Sequence, residues 1–171
     1  MKKKLLNFWY YYKVHIIIIL TLLAAGLYFL SLREEDISDY HAAIVSPRGF
    51  SDEQLVQIQN VLEQAGQDQT GDNAVSVKVQ AFRFAIGENG QDSNEIAKLD
   101  ADLVGKVSGL FIVEDPKQFE EVTNGIGNAS EALPISNFPQ FSGCGIEDMY
   151  ILPRTDADSK YSVMLSTLIL K

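Results

Sequence analysis

The chain of 171 residues carries 14 Lys and Arg against 23 Asp and Glu, a formal net charge of −9. Its length suits one folded domain of ordinary size, and its single cysteine excludes an intrachain disulfide. Four of the lysines lie in residues 1–13, so from Arg33 onward 10 basic residues face 23 acidic ones, a formal charge of −13. So acidic a surface repels phosphate backbones and anionic headgroups, and we expect no nucleic-acid partner.

Residues 14–32, VHIIIILTLLAAGLYFLSL, predict a membrane-spanning helix. These 19 residues carry no formal charge, and as a helix they span about 28 Å, close to the hydrocarbon thickness of a bilayer. A cleaved signal peptide and a buried core helix are the alternatives. Ala24 and Gly26 form a small-x-small site, but the apolar stretch continues to Leu32, where a cleavable signal turns polar. We expect an uncleaved anchor.

The residues flanking this stretch predict its orientation. Aromatic residues 8–12 precede it, as an interfacial belt would, with lysines before and acids after the span. The positive-inside rule then places residues 1–13 in the cytoplasm and residues 40–171 outside it, joined by the span and an acidic connector at 33–39. We therefore expect a single-pass protein of the cell membrane, with the bilayer as a partner through residues 14–32.

The opening segment FWYYYKVH, running directly into the apolar span, resembles the start of uncharacterised bacterial single-span membrane proteins. In that family an ectodomain follows a short acidic stalk. The resemblance is most specific over residues 1–32 and extends more loosely to about residue 120. It implies a retained anchor, and it carries over no catalytic residue because the family has no assigned activity.

After the connector the sequence predicts alternating strands and helices. HAAIVS (41–46) is typical of a buried strand that ends at Pro47. Ser51 and Gln54 form a capping-box pattern ahead of a helix that ends at Gly66. Residues 75–81 alternate apolar and polar side chains as in a second strand.

The second half of the domain continues this alternation. A helix follows Ser93, GLFIV (109–113) predicts an apolar strand, and Asp115 is placed to cap a third helix with Pro116 at its first position. Residues 124–147 predict a long irregular excursion, followed by a fourth strand at DMYILP (148–153). A last helix is expected to start at Asp156 or Asp158, although its β-branched residues would also suit a strand.

This order predicts an α/β domain, a single lobe whose mainly parallel sheet is covered by helices. The rhythm of strand, Asp-Pro and helix at residues 110–119 is loosely similar to one lobe of periplasmic solute-binding proteins. That similarity concerns the fold and implies no function.

A candidate ligand site follows from the predicted parallel sheet, because ligands bind beyond the carboxyl ends of such strands. Arg48, Arg83, Asp115 and Arg154 follow the four predicted strands in turn. Together they could orient an anionic or zwitterionic ligand. The alternative is that they are ordinary loop charges, with Asp115 serving only as a helix cap.

No metal, cofactor or catalytic site is predicted. The loop DQTGDN (68–73) is similar to a calcium loop, but Val79 stands where a bidentate glutamate is needed, which favours a plain connector. A nucleophilic Cys144 or serine would need a histidine, and His41 is the only one after the span. A free or intermolecularly bridged thiol is the simpler interpretation of Cys144.

Three functional classes remain. We expect a membrane-anchored binding or interaction module that engages a small ligand or a partner protein outside the cytoplasm. The alternative is an accessory subunit of a membrane complex that associates through its span, and an enzyme is the least expected class.

Overall fold

The computed structural model describes residues 12, 18–24, 38–84 and 93–170. The chain divides into two compact units, Met1–Ile37 and Ser38–Lys171. In the first unit residues 18–24 are helical. Among the described residues, no helix combines the length and apolarity needed to cross a membrane. Most of the predicted span, and the connector up to residue 37, lie outside the described residues.

The described part of the second unit contains five strands and four α-helices, interspersed with 3₁₀ turns. In chain order they are β1 (Tyr40–Ser46), α1 (Asp52–Ala65), β2 (Val77–Arg83), α2 (Ser93–Gly105), β3 (Leu110–Val113), α3 (Pro116–Val122), β4 (Leu133–Pro134), β5 (Tyr150–Pro153) and α4 (Ser159–Leu170).

The predicted helix starts are confirmed where local chemistry defines them. The Ser51 hydroxyl accepts the amide of Gln54 at 3.3 Å, and the Gln54 side chain accepts the amide of Ser51 at 3.0 Å. Asp115 caps α3, and the last segment is a helix rather than a strand. The excursion at 124–147 holds three 3₁₀ turns and the short β4.

The strands form one sheet in the order β2-β1-β3-β5-β4. β1 pairs in parallel with β2 and β3, whereas β5 pairs antiparallel with β3 and β4. The domain is therefore α/β as predicted, but its sheet is mixed, and the expectation of a parallel fourth strand at 148–153 is wrong.

The path of the chain explains this reversal. Because β4 is antiparallel to β5, it runs in the same direction as β3 and completes the crossover that begins with α3. The chain thus leaves β4 at the edge where β1, β2 and β3 end, here called the carboxyl edge. The 3₁₀ turns after β4 do not carry it across the sheet, so β5 must return antiparallel towards the opposite, amino edge.

Helices cover both faces of the sheet. Alternate strand residues such as Ala42 and Ile44 pack with Ile58 and Leu62 of α1 and with the buried side of α4. On the other face Val45 and its neighbours pack with α2 and α3. The two cores hold β1 and β3 between helical layers. Because both faces of the sheet are covered, side chains that could reach a ligand lie at its carboxyl and amino edges.

Candidate functional site

At the carboxyl edge, Arg48 lies in a network of acidic partners. Its Nε donates to Glu114 Oε1 at 2.9 Å and its Nη2 donates to Asp148 Oδ1 at 2.9 Å. The Ser46 hydroxyl donates to the same Glu114 oxygen at 2.6 Å. The hydrogen bond from Arg48 lowers the pKa of Asp148. Two carboxylates therefore already neutralise this arginine, which leaves it little capacity for an anionic ligand.

The other predicted site residues divide between the two edges. Asp115 accepts the amides of Lys117 and Gln118 at 3.0 and 3.1 Å and so acts as a helix cap. Arg83, at the end of β2, passes over Gly49, where an added Cβ would lie 2.3 Å from its Nη2. Arg48, Arg83 and Asp115 share the carboxyl edge as predicted. Arg154 lies at the amino edge, because β5 runs antiparallel, so the predicted convergence of all four residues is wrong.

A cleft of about 370 Å³ opens at the amino edge. Its walls come from the start of β1 and the residues just before it, the loop between α2 and β3, the segment after β5 and the first turn of α4. The lining residues are Ser38, His41, Lys106, Val107, Gly109, Arg154, Asp156, Ala157, Asp158, Lys160 and Tyr161. Reasoning from the sequence missed this site because it placed Arg154 at the opposite edge.

Arg154 is the most buried charge in the lining of the cleft, with its side chain only 7% exposed. Its Nε donates to Asp156 Oδ1 at 2.6 Å and its Nη2 donates to the carbonyl of Leu103 at 2.7 Å. Its Nη1 is buried and has no hydrogen-bond partner among the described residues. The guanidinium is thus held from two sides while one of its donor groups remains unused.

Asp156 links Arg154 to a second cation. Its other carboxylate oxygen accepts a hydrogen bond from Lys106 Nζ. The hydrogen bonds from Lys106 and Arg154 lower the pKa of Asp156 to about 2. The carboxylate is therefore charged at neutral pH and lies between two cations.

Lys160 and Tyr161 extend the site along α4. Lys160 Nζ donates to the carbonyl of Asp39 at 2.5 Å and lies 5.3 Å from the ring centroids of Tyr40 and Tyr161, a cation–π distance. The Tyr161 hydroxyl accepts the amide of His41 at 3.2 Å, and burial raises the pKa of this phenol. The ring also lies against Gly109, where an added Cβ would come within 2.1 Å of Cε2.

A buried carboxylate lies next to the cleft. Asp102 accepts a 2.8 Å hydrogen bond from the Ser108 hydroxyl, while its Oδ2 has no partner among the described residues. Burial raises the pKa of Asp102, opposed by the hydrogen bonds from Ser108 and by the charges of Arg154 and His41. Ser108 donates directly to the carboxylate, with no imidazole between them, which is not the order of a catalytic triad.

Cys144 lies in the core that α1 and α4 form with the sheet, only 3% exposed. Burial raises the pKa of its thiol. A protonated and covered thiol is a poor nucleophile and a poor partner for an intermolecular disulfide, which favours the free thiol.

The loop at residues 68–73 turns its carboxylates towards its own backbone. Asp68 accepts the amides of Gly71 at 2.6 Å and Asn73 at 2.8 Å, and Asp72 accepts the amide of Ala74 at 2.9 Å. In the described ranges, no group of three or more His, Cys, Asp or Glu residues could hold a metal ion. These contacts fit the plain connector predicted for the loop.

Comparisons of the chain with protein-family models, with curated proteins and with solved structures give no match. The function must therefore be inferred from the residues of the cleft and from the sequence of the N-terminal segment.

Proposed function

We propose that this protein is a membrane-anchored binding module whose folded domain works outside the cytoplasm and takes a small ligand in the cleft at the amino edge. The main support for this proposal is the cleft itself. Its volume of about 370 Å³ lies in the range of small-molecule sites, and four separate chain segments contribute to its lining. A ligand there would contact charged groups whose positions are held by the sheet and by α4.

The sequence of residues 1–37 supports the anchored part of the proposal. An uncharged apolar stretch at 14–32 follows a lysine-rich segment and precedes an acidic connector. Ser38, the first described residue of the second unit, lines the cleft.

Binding rather than catalysis is supported by the reactive groups themselves. The Cys144 thiol is buried, with a raised pKa. The Ser108 hydroxyl is engaged by Asp102. Among the described residues, the Ser108 hydroxyl donates to a carboxylate rather than to an imidazole and the Cys144 thiol is covered, so neither has the arrangement of a Ser–His or Cys–His nucleophile.

Membrane anchoring can be tested with the full chain expressed in bacteria. We expect it to remain in the membrane pellet after alkaline extraction, with its intact N-terminus detected by mass spectrometry. Protease added to spheroplasts should digest the domain at residues 38–171. A Leu23→Arg substitution should release the protein, whereas Leu23→Ile should not. Loss of residues before Leu27, or wild-type protein in the soluble fraction, would rule out the retained anchor.

Ligand binding in the cleft can be tested on residues 38–171, which form a compact unit with their own core. A thermal-shift screen should find small molecules that stabilise this domain. Val107→Trp places a large side chain at the rim of the cleft and should abolish the shift. Val107 is 46% exposed, and Val56, which is 53% exposed on α1 and does not line the cleft, provides the matched control Val56→Trp. A shift that survives Val107→Trp would exclude the cleft as the site.

A further inference from the structure

We infer that the ligand of the cleft carries a phosphate group, held by Lys106, Arg154 and Lys160. This inference rests on the proposed function of the cleft as a ligand site, and it assigns the chemical class of the ligand.

Cations converge on the cleft although the chain as a whole is acidic. Lys106 comes from the loop after α2, Arg154 from the segment after β5 and Lys160 from the first turn of α4. Two acidic side chains, Asp156 and Asp158, share the lining. The amino-terminal end of α4, a helix of 12 residues, adds the positive end of its dipole to this excess of cations.

The position of Asp156 shows that an oxyanion fits between two of these cations. Its carboxylate accepts hydrogen bonds from both Lys106 Nζ and Arg154 Nε. Asp156 lies in a turn, and its side chain is 45% exposed. A ligand oxyanion could therefore take the place of this carboxylate while Asp156 turns towards solvent.

This competition distinguishes phosphate from carboxylate ligands. Asp156 is tethered to the site, so its effective concentration is in the millimolar range or above. A ligand with a single carboxylate would replace an identical tethered group and gain little. A phosphate group carries a larger charge and more acceptor oxygens, so it can engage Lys160 in addition to the two cations that Asp156 bridges.

Arg154 is prepared for this role by its surroundings. The hydrogen bond from Nη2 to the Leu103 carbonyl and the burial of the side chain fix the guanidinium in place. Binding therefore costs little side-chain entropy at this residue. The acidity of the rest of the domain disfavours large polyanions, which restricts the expected ligand to a small phosphate compound or a single headgroup.

The inference can be tested by calorimetry on the full chain in nanodiscs of zwitterionic lipid, titrated with inorganic phosphate and pyrophosphate. Lys106→Gln should weaken binding about tenfold, because it removes one charge-assisted hydrogen bond. Asp156→Asn should strengthen binding about tenfold by removing the tethered competitor. A gain of affinity cannot arise from misfolding. Lys117→Gln, which removes an exposed lysine of α3, should bind like the wild type.

A second arm identifies the source of the phosphate group. In nanodiscs that contain phosphatidic acid, a loss of apparent affinity for soluble phosphate would identify a lipid headgroup as the ligand. Unchanged affinity would identify a soluble phosphate compound, and both results support phosphate chemistry in the cleft.

Other results would overturn the inference. The phosphate assignment fails if neither the wild type nor Asp156→Asn binds phosphate at millimolar concentration. It also fails if acetate competes for the cleft as well as phosphate does. If the thermal-shift screen finds a ligand without phosphate whose effect Val107→Trp abolishes, the cleft remains a binding site and only the phosphate assignment fails. If no ligand sensitive to Val107→Trp exists, the proposed function fails as well.

Discussion

Replacing Gly109 with alanine should destabilise the folded domain, and the structure allows us to estimate the loss of stability. The added Cβ would lie 2.1, 2.3 and 2.7 Å from three ring atoms of Tyr161, far inside van der Waals contact. The ring cannot simply move, because its hydroxyl accepts the amide of His41 at 3.2 Å and its edge packs against Tyr40 with a centroid distance of 5.5 Å. Relief of the clash must disturb both contacts.

The expected loss of stability combines three effects. Overpacking of a buried site costs about 1–3 kcal/mol. Loss of the hydrogen bond from the His41 amide costs about 1 kcal/mol, and a disturbed aromatic pair costs about 0.5–1.5 kcal/mol. Because these disturbances share one movement of the Tyr161 ring, we expect a total of about 3 kcal/mol rather than the full sum. Urea unfolding of residues 38–171, followed by circular dichroism, measures this change directly.

Two controls make the estimate refutable. In a Tyr161→Leu background the clash is absent, so Gly109→Ala should cost less than about 1 kcal/mol there. Gly105→Ala at the end of α2 has its nearest neighbour at 3.4 Å and should be neutral or stabilising by up to about 1 kcal/mol. A Gly109→Ala variant as stable as the wild type, or equally destabilised in both backgrounds, would refute the steric explanation.

Three further predictions concern a hydrogen-bonded carboxylate, a buried thiol, and a buried arginine compared with an exposed one. Burial raises the pKa of Asp39, but the hydrogen bonds from amides of the 69–76 segment outweigh burial, so the net pKa is depressed. The charged carboxylate therefore stabilises the fold at neutral pH, and this stabilisation is lost as the pH falls through the folded pKa. Asp39→Asn should cost about 1.5–3 kcal/mol at pH 7 and flatten the acid limb of a stability–pH curve, and an unchanged acid limb would contradict this. Cys144 should resist a thiol reagent such as DTNB in native protein and react once urea unfolds it, whereas rapid native labelling would contradict its burial. Arg154→Ala should cost about 3 kcal/mol in urea unfolding, whereas Arg48→Ala, with an exposed ion-pair network, should cost under about 1 kcal/mol; equal costs would contradict the contrast between the edges.

The parts of the fold that depend on neighbouring residues could be predicted from the sequence. The capping box at Ser51 and Gln54 and the cap at Asp115 involve residues two or three positions apart, and the structure confirms them. The short apolar run at residues 41–46 predicted a buried strand, and it reflects burial of β1 on both faces of the sheet. For the two helix caps and for this strand, the pattern of neighbouring residues was sufficient.

The direction of β5 could not be predicted in the same way. An apolar strand has the same local pattern whether it pairs in parallel or antiparallel, so residues 150–153 carry no sign of their direction. That direction depends on where the chain arrives after β4. The sequence prediction placed Arg154 with Arg48 because the alternation of strands and helices implied that the strand at 148–153 was parallel to the others.

The sequence by itself determined the uncharged apolar stretch at 14–32, the acidic character of the remaining chain, and the positions of the main strands and helices of the domain. Only the tertiary structure decided that Arg154, Lys106 and Lys160 line one cleft at the amino edge. It also decided that the Tyr161 hydroxyl accepts the amide of His41 from 120 residues away. Periodicity and caps arise from contacts within one turn or one strand. The cleft arises from contacts between segments far apart in the chain, and the antiparallel return of β5 sets those contacts.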